Sequence, residues 1–169
     1  FAVGAYARQR GVEAPLRVIA SAKSWLCHPS MDRRAGILPL GAPEDIEKIS
    51  PVEASYRYLD HLAEAFRAAV GADLSEQEIV LTVPASFDAS ARELTVEAAV
   101  CAGFESLTLL EEPQAALYAY IQSQGDAFRD KIQVGDVILV IDVGGGTTDF
   151  SAISVGDVAG KYTLARVAV

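Results

Sequence analysis

The chain has little of what marks several large classes of protein. It has 2 cysteines in 169 residues, and Cys27 and Cys101 lie too far apart for a C-x-x-C pair, which argues against a disulfide scaffold. We therefore expect reduced, partly buried thiols in a cytoplasmic protein. No apolar run approaches the roughly 18 residues of a membrane helix, and the first residues, FAVGAYARQRG, lack the order of a signal peptide.

Basic residues are also scarce. The formal net charge is −9, with 14 Lys and Arg against 23 Asp and Glu. Nucleic-acid-binding proteins neutralise phosphates with clustered basic side chains, so a nucleic acid is excluded as the main partner. A single nucleotide is not excluded, because backbone N–H groups and a metal ion can hold it. The chain begins without Met and ends in the apolar stretch YTLARVAV, which predicts a piece of a longer protein.

The patterns that are present predict an α/β protein with a mixed sheet. Residues 29–49 are rich in Pro, Gly and charged residues and predict an irregular connection. Ser50-Pro51-Val52-Glu53 is typical of a capped helix start, and Gly71 suits the end of that helix. The buried row of this helix is predicted to consist of Leu59, Leu62, Phe66 and Ala69.

Strand-like and helical segments alternate after this helix. Residues 78–84 and 104–110 are continuous apolar runs, which predict strands buried on both faces. Asp88 is predicted to cap a helix between them, and this crossover predicts parallel strands. The buried face of that helix is predicted to consist of Ala91, Leu94, Ala98 and Cys101. Residues 113–123 predict a further helix, and residues 125–135 a polar surface loop.

Three strand-like runs end the chain, at 136–143, 147–155 and 161–168. Only Gly144-Gly145-Gly146 separates the first two, which predicts an antiparallel hairpin. Consecutive glycines leave backbone N–H groups accessible without a Cβ in the way, and such a concave set of dipoles attracts a phosphate. Neither the Walker pattern nor G-x-G-x-x-G is present. We nevertheless favour phosphate binding over a plain turn, because an aspartate stands on each side of the glycines.

Acidic and hydroxyl side chains flank these glycines. Asp142 ends the incoming strand, and its carboxylate suits Mg²⁺, which keeps most of its waters and takes only one or two protein carboxylates. Asp149 adds a second carboxylate on the outgoing strand. Thr147 and Thr148 place hydroxyl groups where they can bond a phosphate oxygen or orient an attacking water.

Three stretches carry a resemblance to a known family. VIDVGGGTTDFSAI resembles the second phosphate motif of the ATPase superfamily of actin, sugar kinases and heat-shock chaperones. Residues 83–120, with P-A-x-F and E-P-x-A-A, resemble the DnaK-type, seventy-kilodalton heat-shock chaperones, and ASAKSWL at 20–26 resembles their A-K-R-L-I segment. The resemblance implies a ribonuclease-H-like lobe of a nucleotide-binding domain over 1–169, with the second phosphate motif in 136–169.

The resemblance also implies roles for single residues. Lys23 matches the catalytic lysine near the γ-phosphate and the attacking water, and Glu112 matches the acid that senses Mg²⁺ and that water. Asp142 and Asp149 match the carboxylates near the hydrated metal, and Thr147 is expected to help position the water. Contact with phosphate is expected for Gly144, Gly145, Gly146, Thr147 and Thr148.

Two further residues match a conformational switch of that family. Pro84 matches a proline proposed to switch between nucleotide states, and Arg92 matches the arginine that relays the switch toward the substrate domain. The chain departs from the family at three single positions. Gln114 stands where Thr or Ser is usual, Ser86 replaces an aromatic residue, and Val96 replaces a lysine. These departures indicate a divergent member.

The function that the resemblance implies is ATP binding and hydrolysis in a DnaK-like molecular chaperone, with Mg²⁺ and with hydrolysis driving lobe motion. Unfolded peptides and co-chaperones are the partners implied for the whole protein, and no membrane partner is expected. The 169-residue chain alone is expected not to hydrolyse ATP, because it lacks the first phosphate loop of the family.

Two alternatives stay open at this point. One is a bacterial actin-like, filament-forming ATPase, and the other is a nucleotide-binding regulator that has lost hydrolysis. Filament proteins of this kind typically have Glu at the position of Asp149 and lack the stretch around Lys23. Together with Phe87, these residues favour the chaperone.

Overall fold

A computed structural model describes residues Phe1–Val169, which form two compact units. The first unit comprises Phe1–Ile79 and Asp88–Thr108, and the second comprises Val80–Phe87 and Leu109–Val169. None of the helices combines the length and the apolar composition that crossing a membrane requires.

Helices and strands alternate along much of the chain, as expected of an α/β protein. The helices are α1 (Gly4–Glu13), α2 (Ala22–Trp25), α3 (Pro51–Val70), α4 (Ala89–Cys101) and α5 (Glu112–Gln124). The strands are β1 (Glu78–Val83), β2 (Ser106–Glu111), β3 (Val137–Val143), β4 (Thr148–Val158) and β5 (Lys161–Ala168). Short 3₁₀ helices occur at Pro15–Arg17, Leu74–Glu76 and Gly125–Lys131. Strands β1 and β2 form one sheet and β3, β4 and β5 another, so the single mixed sheet of the prediction is divided into two.

Local sequence explains how α3 begins and ends. The Ser50 hydroxyl accepts the Glu53 backbone N–H at 3.0 Å, and Gly71 closes the helix in the left-handed region at φ 75°. Both predictions for the helix ends are confirmed. The connection over residues 29–49 is irregular, also as predicted, and holds a single antiparallel β-bridge.

The predicted buried row of α3 is partly wrong. Leu59 is buried, but Leu62 is 56 % exposed and Ala69 is exposed. The residues of α3 that are buried are Pro51, Ala54, Leu59 and Ala63. Helical spacing allows several apolar rows, and here α3 packs against α2 and α4 through a row that includes two alanines, which permit close approach.

A small apolar cluster holds the irregular connection in place. Leu38 belongs to the cluster and is 2 % exposed. It exchanges two backbone hydrogen bonds with Ile49, at 3.0 and 2.8 Å. Its other buried members are Ala22 and Ala54, and partly buried side chains around it are Ile19, Trp25, Ile37, Ile49 and Tyr58. Apolar contacts thus order a segment that has almost no regular hydrogen bonding.

Helix α4 begins at a cap that is also an ion pair. Asp88 Oδ1 accepts the Ala91 N–H at 2.7 Å, as predicted, and the Arg33 guanidinium donates to both carboxylate oxygens at 2.8 and 2.7 Å. The hydrogen bonds from Arg33 and from the Ala91 amide lower the pKa of Asp88 to about 2. Ala91, Leu94 and Ala98 are buried, again as predicted. Cys101 is exposed, so its predicted burial is wrong; it is the last residue of α4.

Replacing Asp88 with alanine is expected to lower the stability of the first unit by about 1–2 kcal/mol, mainly through loss of the cap. More than half of the Asp88 side chain is exposed, so solvent screening keeps the ion pair to at most about 1 kcal/mol. Asp88→Asn keeps a cap acceptor and should lose only the ion pair. Urea unfolding followed by the fluorescence of Trp25, the one tryptophan of this chain, measures the difference.

The same residue gives stability a pH dependence with a defined sign. The folded pKa of Asp88 is about 2 and the unfolded value about 3.9, so its contribution is present above about pH 4 and is lost as the pH falls toward 2. The difference between wild type and Asp88→Asn should shrink over that window. A difference that persists at the acid end would contradict the role of the ionised pair.

The second unit is built on an antiparallel meander. Strand β3 pairs with β4, and β5 pairs with β4 on its other side, both antiparallel. The hairpin prediction is therefore confirmed. The inner face of the sheet packs against a cluster of Phe128, Ile132 and Val155. On the opposite face, exposed apolar side chains are Val137, Leu139, Ile141, Val143 and Phe150.

Two burial predictions for residues after α3 are wrong. Residues 125–135 are not a polar surface loop, since Gly125–Lys131 form a 3₁₀ helix and Phe128 and Ile132 are 7 % and 8 % exposed. Strands β1 and β2 are not buried on both faces. Val80, for example, is 62 % exposed, because a sheet of two strands has few neighbours to cover its second face.

Candidate phosphate and metal site

The glycine-rich loop is the tip of the β3–β4 hairpin. It covers residues 144–147, and Val143 pairs with Thr148 on its two sides. The Gly144 N–H donates to the Thr147 carbonyl at 2.9 Å, which closes the loop. Thr147 is therefore a loop residue, one position beyond the predicted three-glycine turn.

The backbone conformation of this loop does not require glycine at positions 144 and 145. Neither Gly144 nor Gly145 has the positive φ that favours glycine. A Cβ on Gly144 would lie 3.3 Å from the Thr147 carbonyl oxygen, whereas a Cβ on Gly145 would meet no atom within 4 Å. Folding of this chain thus has no steric need for glycine at 145. The open space there is what the close approach of a phosphate to backbone N–H groups requires.

Two carboxylates lie side by side next to the loop. Asp142 on β3 and Asp149 on β4 are directly opposed in the antiparallel register, so their side chains emerge on the same face of the sheet. This is the inner face, and Asp149 is only 3 % exposed. Like charges that face each other across two strands are destabilising. The arrangement favours a cation between or near them.

The two oxygens of Asp149 have different environments. Oδ1 accepts the backbone N–H of Ser86 at 3.0 Å. Oδ2 is buried and has no hydrogen-bond partner, and the same holds for the hydroxyl of Ser151, two residues further along β4. Buried polar atoms without a partner are costly and uncommon, so Asp149 Oδ2 marks a place where a ligand is expected.

These residues fit a hydrated Mg²⁺ better than a tightly caged metal. No group of three or more His, Cys, Asp and Glu side chains is arranged to hold a metal ion. Asp142 and Asp149 supply two carboxylates, and Mg²⁺ commonly takes its remaining ligands from waters and phosphate oxygens. The unpartnered Oδ2 of Asp149 is the atom best suited to such an ion or to one of its waters.

Other predicted site residues belong to the same unit. The Thr147 side chain is half-buried at the loop, and Thr148 is exposed at the start of β4. Pro84 is fully buried in the turn after β1. Glu112 is the first residue of α5 and is half-buried; an acid there is favoured by the helix dipole. The functional roles of these four residues stay predictions.

Lys23 and Arg92 belong to the first unit. Lys23 lies in α2 with its side chain exposed, between the buried residues Ala22 and Leu26 of the local sequence. Arg92 lies in the first turn of α4, where its backbone N–H donates to the Asp88 carbonyl at 3.1 Å. The role of Lys23 at the γ-phosphate and the role of Arg92 in relaying the switch both stay predictions.

Two contacts of this unit could not be predicted from the sequence. The Glu111 carboxylate, next to the predicted Glu112, forms an ion pair with Arg166 of β5. The Ser86 backbone N–H binds Asp149 although 63 positions separate the two residues. A backbone N–H donor cannot be recognised from the residue type, and the Glu111–Arg166 pair depends on a tertiary contact. Neither could be found from spacing.

Comparison with known proteins identifies relatives of this chain. The family model described as Hsp70 protein matches residues 3–166. Chaperone protein HscA of Edwardsiella ictaluri is 36 % identical over 163 residues, which cover 89 % of this chain and 25 % of that protein. HscA of Cronobacter sakazakii is 35 % identical over 165 residues, with the same coverage.

A third relative matches a shorter part of the chain more closely. A chaperone protein HscA homolog of Aeromonas hydrophila is 45 % identical over 105 residues, which cover 62 % of this chain and 15 % of the relative. The chain thus spans about a quarter of the length of the two HscA proteins that it matches over 89 % of its residues.

Proposed function

Since the chain belongs to the Hsp70 family, we propose that it contributes to an ATPase site that serves a molecular chaperone. The observation that carries this proposal is the tip of the β3–β4 hairpin. There, an open glycine backbone lies next to the opposed carboxylates of Asp142 and Asp149. Backbone N–H groups for phosphate and carboxylates for a hydrated cation are two of the components that phosphoryl transfer needs from a protein.

Each residue of the hairpin has a role that follows from its chemical groups. Gly145 holds phosphate through its backbone N–H, whereas the N–H of Gly144 closes the loop on the Thr147 carbonyl. The Thr147 hydroxyl orients the attacking water. Asp142 and Asp149 hold the waters of the cation. When bound, Mg²⁺ neutralises charge that develops on the phosphate oxygens. Lys23 and Glu112 act on the water and the γ-phosphate, as their match to the family implies.

Several finer features belong to the same proposal. The chain is part of a nucleotide-binding domain of the actin-like ATPase type and lies mainly in its ribonuclease-H-like first lobe, with 136–169 carrying the second phosphate motif. Hydrolysis then changes the position of the lobes through Pro84 and Arg92. Unfolded peptides and co-chaperones are the proposed partners of the whole protein, and the cytoplasm is its proposed location.

The filament-forming alternative has less support. The matched family is described as Hsp70 protein, and the three relatives named above are described as chaperones. Asp149 also stands where the actin-like filament proteins typically have Glu.

Lys23→Ala is expected to lower ATP turnover of the full-length protein by about 10–100-fold, because positioning of the water and neutralisation of charge carry most of the rate in phosphoryl transfer. Lys48→Ala removes another exposed lysine of the first unit and serves as the matched control. Steady-state phosphate release at saturating ATP measures both variants.

The same assay separates the ATPase from a regulator that has lost hydrolysis. Equal turnover of wild type and Lys23→Ala would remove Lys23 from the mechanism. A wild type that binds ATP but releases no phosphate would support the regulator instead.

A further inference from the structure

The turn that follows β1 contacts the candidate metal site through its backbone. The Ser86 N–H donates to Asp149 Oδ1 at 3.0 Å. The Ser86 side chain is exposed, so the amide makes this contact and the hydroxyl does not. Any residue other than proline at position 86 can make this contact, which is compatible with the departure from the aromatic residue usual in the family.

Buried residues on both sides hold this turn in place. Val83 is 2 % exposed and Phe87 is 5 % exposed, and Pro84 is among the largest fully buried side chains. The Phe87 N–H donates to the Pro84 carbonyl at 3.2 Å, which closes the turn. The Ser86 amide is thus a donor on a well-anchored turn, suited to fixing the orientation of another group.

The hydrogen bond decides which oxygen of Asp149 is left for a ligand. Rotation about the last torsion of an aspartate is soft, so an unrestrained carboxylate samples many orientations. Here Oδ1 is held by Ser86, and Oδ2 is buried without a partner. Asp142 is opposite on the neighbouring strand. The amide therefore leaves one defined oxygen, Oδ2, for a ligand.

We propose that the backbone N–H of Ser86 is a positioning group that orients Asp149 toward a hydrated divalent cation bound with the nucleotide. This inference rests on the proposed function and names a residue for which sequence reasoning gave no role. The turn that carries Pro84 would then help to position the side chains of the metal site. A shift of the turn would then change the direction of Asp149 Oδ2.

The first test compares two substitutions at the same position of the full-length protein. Ser86→Pro removes the N–H, whereas Ser86→Ala keeps it. Calorimetry measures the affinity for ADP in excess magnesium and for ADP in EDTA. Loss of an outer contact to a metal-binding side chain typically weakens metal affinity by about 10–100-fold, so Ser86→Pro should weaken magnesium-dependent ADP binding by about that factor. Binding in EDTA should stay within about twofold, and Ser86→Ala should retain the wild-type affinity.

A second measurement does not depend on how proline affects folding. Amide hydrogen exchange of residues 83–88 is followed in the nucleotide-free protein. Asp149→Ala should speed exchange at Ser86 by about tenfold or more, because a hydrogen bond to a charged acceptor is lost. Asp142→Ala is the control, since it removes the opposed carboxylate and leaves the acceptor of the Ser86 amide in place.

The outcomes separate this inference from the function on which it rests. The positioning role is overturned if the exchange rate at Ser86 is the same in Asp149→Ala as in the wild type. It is also overturned if Ser86→Pro and Ser86→Ala have the same affinity for ADP in magnesium. An equal loss of affinity in magnesium and in EDTA also overturns it, because the effect would then be general. A wild type that binds no ADP overturns the proposed function, whereas the exchange measurement still decides whether the hydrogen bond exists.

Discussion

Asp149→Asn is expected to lower ATP turnover of the full-length protein by about 100–1,000-fold, the range seen when one preorganised electrostatic group is removed from an active site. The substitution keeps an oxygen that can accept the Ser86 N–H, but it removes the charge from a side chain that is 3 % exposed. The nucleotide-free variant should unfold no earlier than the wild type, because the repulsion with Asp142 is also removed. Loss of turnover without loss of stability distinguishes a functional carboxylate from a structural one.

Asp157→Asn provides the matched control for this prediction. Asp157 lies on the same strand, β4, and is exposed. Its Oδ1 accepts the Gly160 N–H at 3.1 Å, a bond that asparagine can also make. Phosphate release and thermal unfolding are measured for both variants. If Asp149→Asn hydrolysed ATP at the rate of Asp157→Asn, the carboxylate would have no part in catalysis.

Gly145→Val should weaken ATP and ADP binding by about 10–100-fold, which corresponds to the roughly 1–3 kcal/mol typical of overpacking a close contact. Stability should change little, because a Cβ at this position meets no atom within 4 Å and the backbone is outside the left-handed region. The side chain would instead occupy the space that a phosphate needs in order to approach the loop. Calorimetric titration of nucleotide and thermal unfolding of the same samples test the two halves of the prediction.

Gly160→Ala is expected to show the opposite pattern. Gly160 lies in the β4–β5 turn at φ 76°, where an L side chain costs about 1–2 kcal/mol. This variant should lose stability and keep nucleotide affinity. The contrast identifies the loop glycine by its effect on the ligand and the turn glycine by its effect on the fold. Unchanged nucleotide affinity in Gly145→Val would mean that no phosphate approaches this backbone.

Predictions from the sequence succeed where the cause is local. The start of α3 at Ser50-Pro51, its end at Gly71 and the cap of α4 at Asp88 all depend on groups within a few residues of one another. The β3–β4 hairpin is of the same kind, since a loop of four residues brings the two strands next to each other. The ATPase superfamily was also recognisable from the glycines and acids of that hairpin, because few functions require this order of residues. Residues 83–120 and 20–26 indicated the chaperones within it.

The wrong predictions concern what lies next to an element in space. Leu62 and Cys101 have the expected periodicity, yet they are exposed, and Phe128 is buried although its segment is polar. Periodicity specifies which residues share a face of a helix or strand. Which face is covered depends on the neighbours that the rest of the chain supplies, and these are not encoded within the segment.

The candidate site shows the same division. The order of residues in IDVGGGTTDF places two aspartates, three glycines and two threonines at one hairpin, and hairpin geometry makes Asp142 and Asp149 opposed. Only the tertiary structure decided that Asp149 is buried, that Ser86 holds one of its oxygens and that the other has no partner. The donor to that carboxylate is a backbone N–H from 63 positions away. Every residue except proline carries this group, so its function arises from position in space and not from residue type.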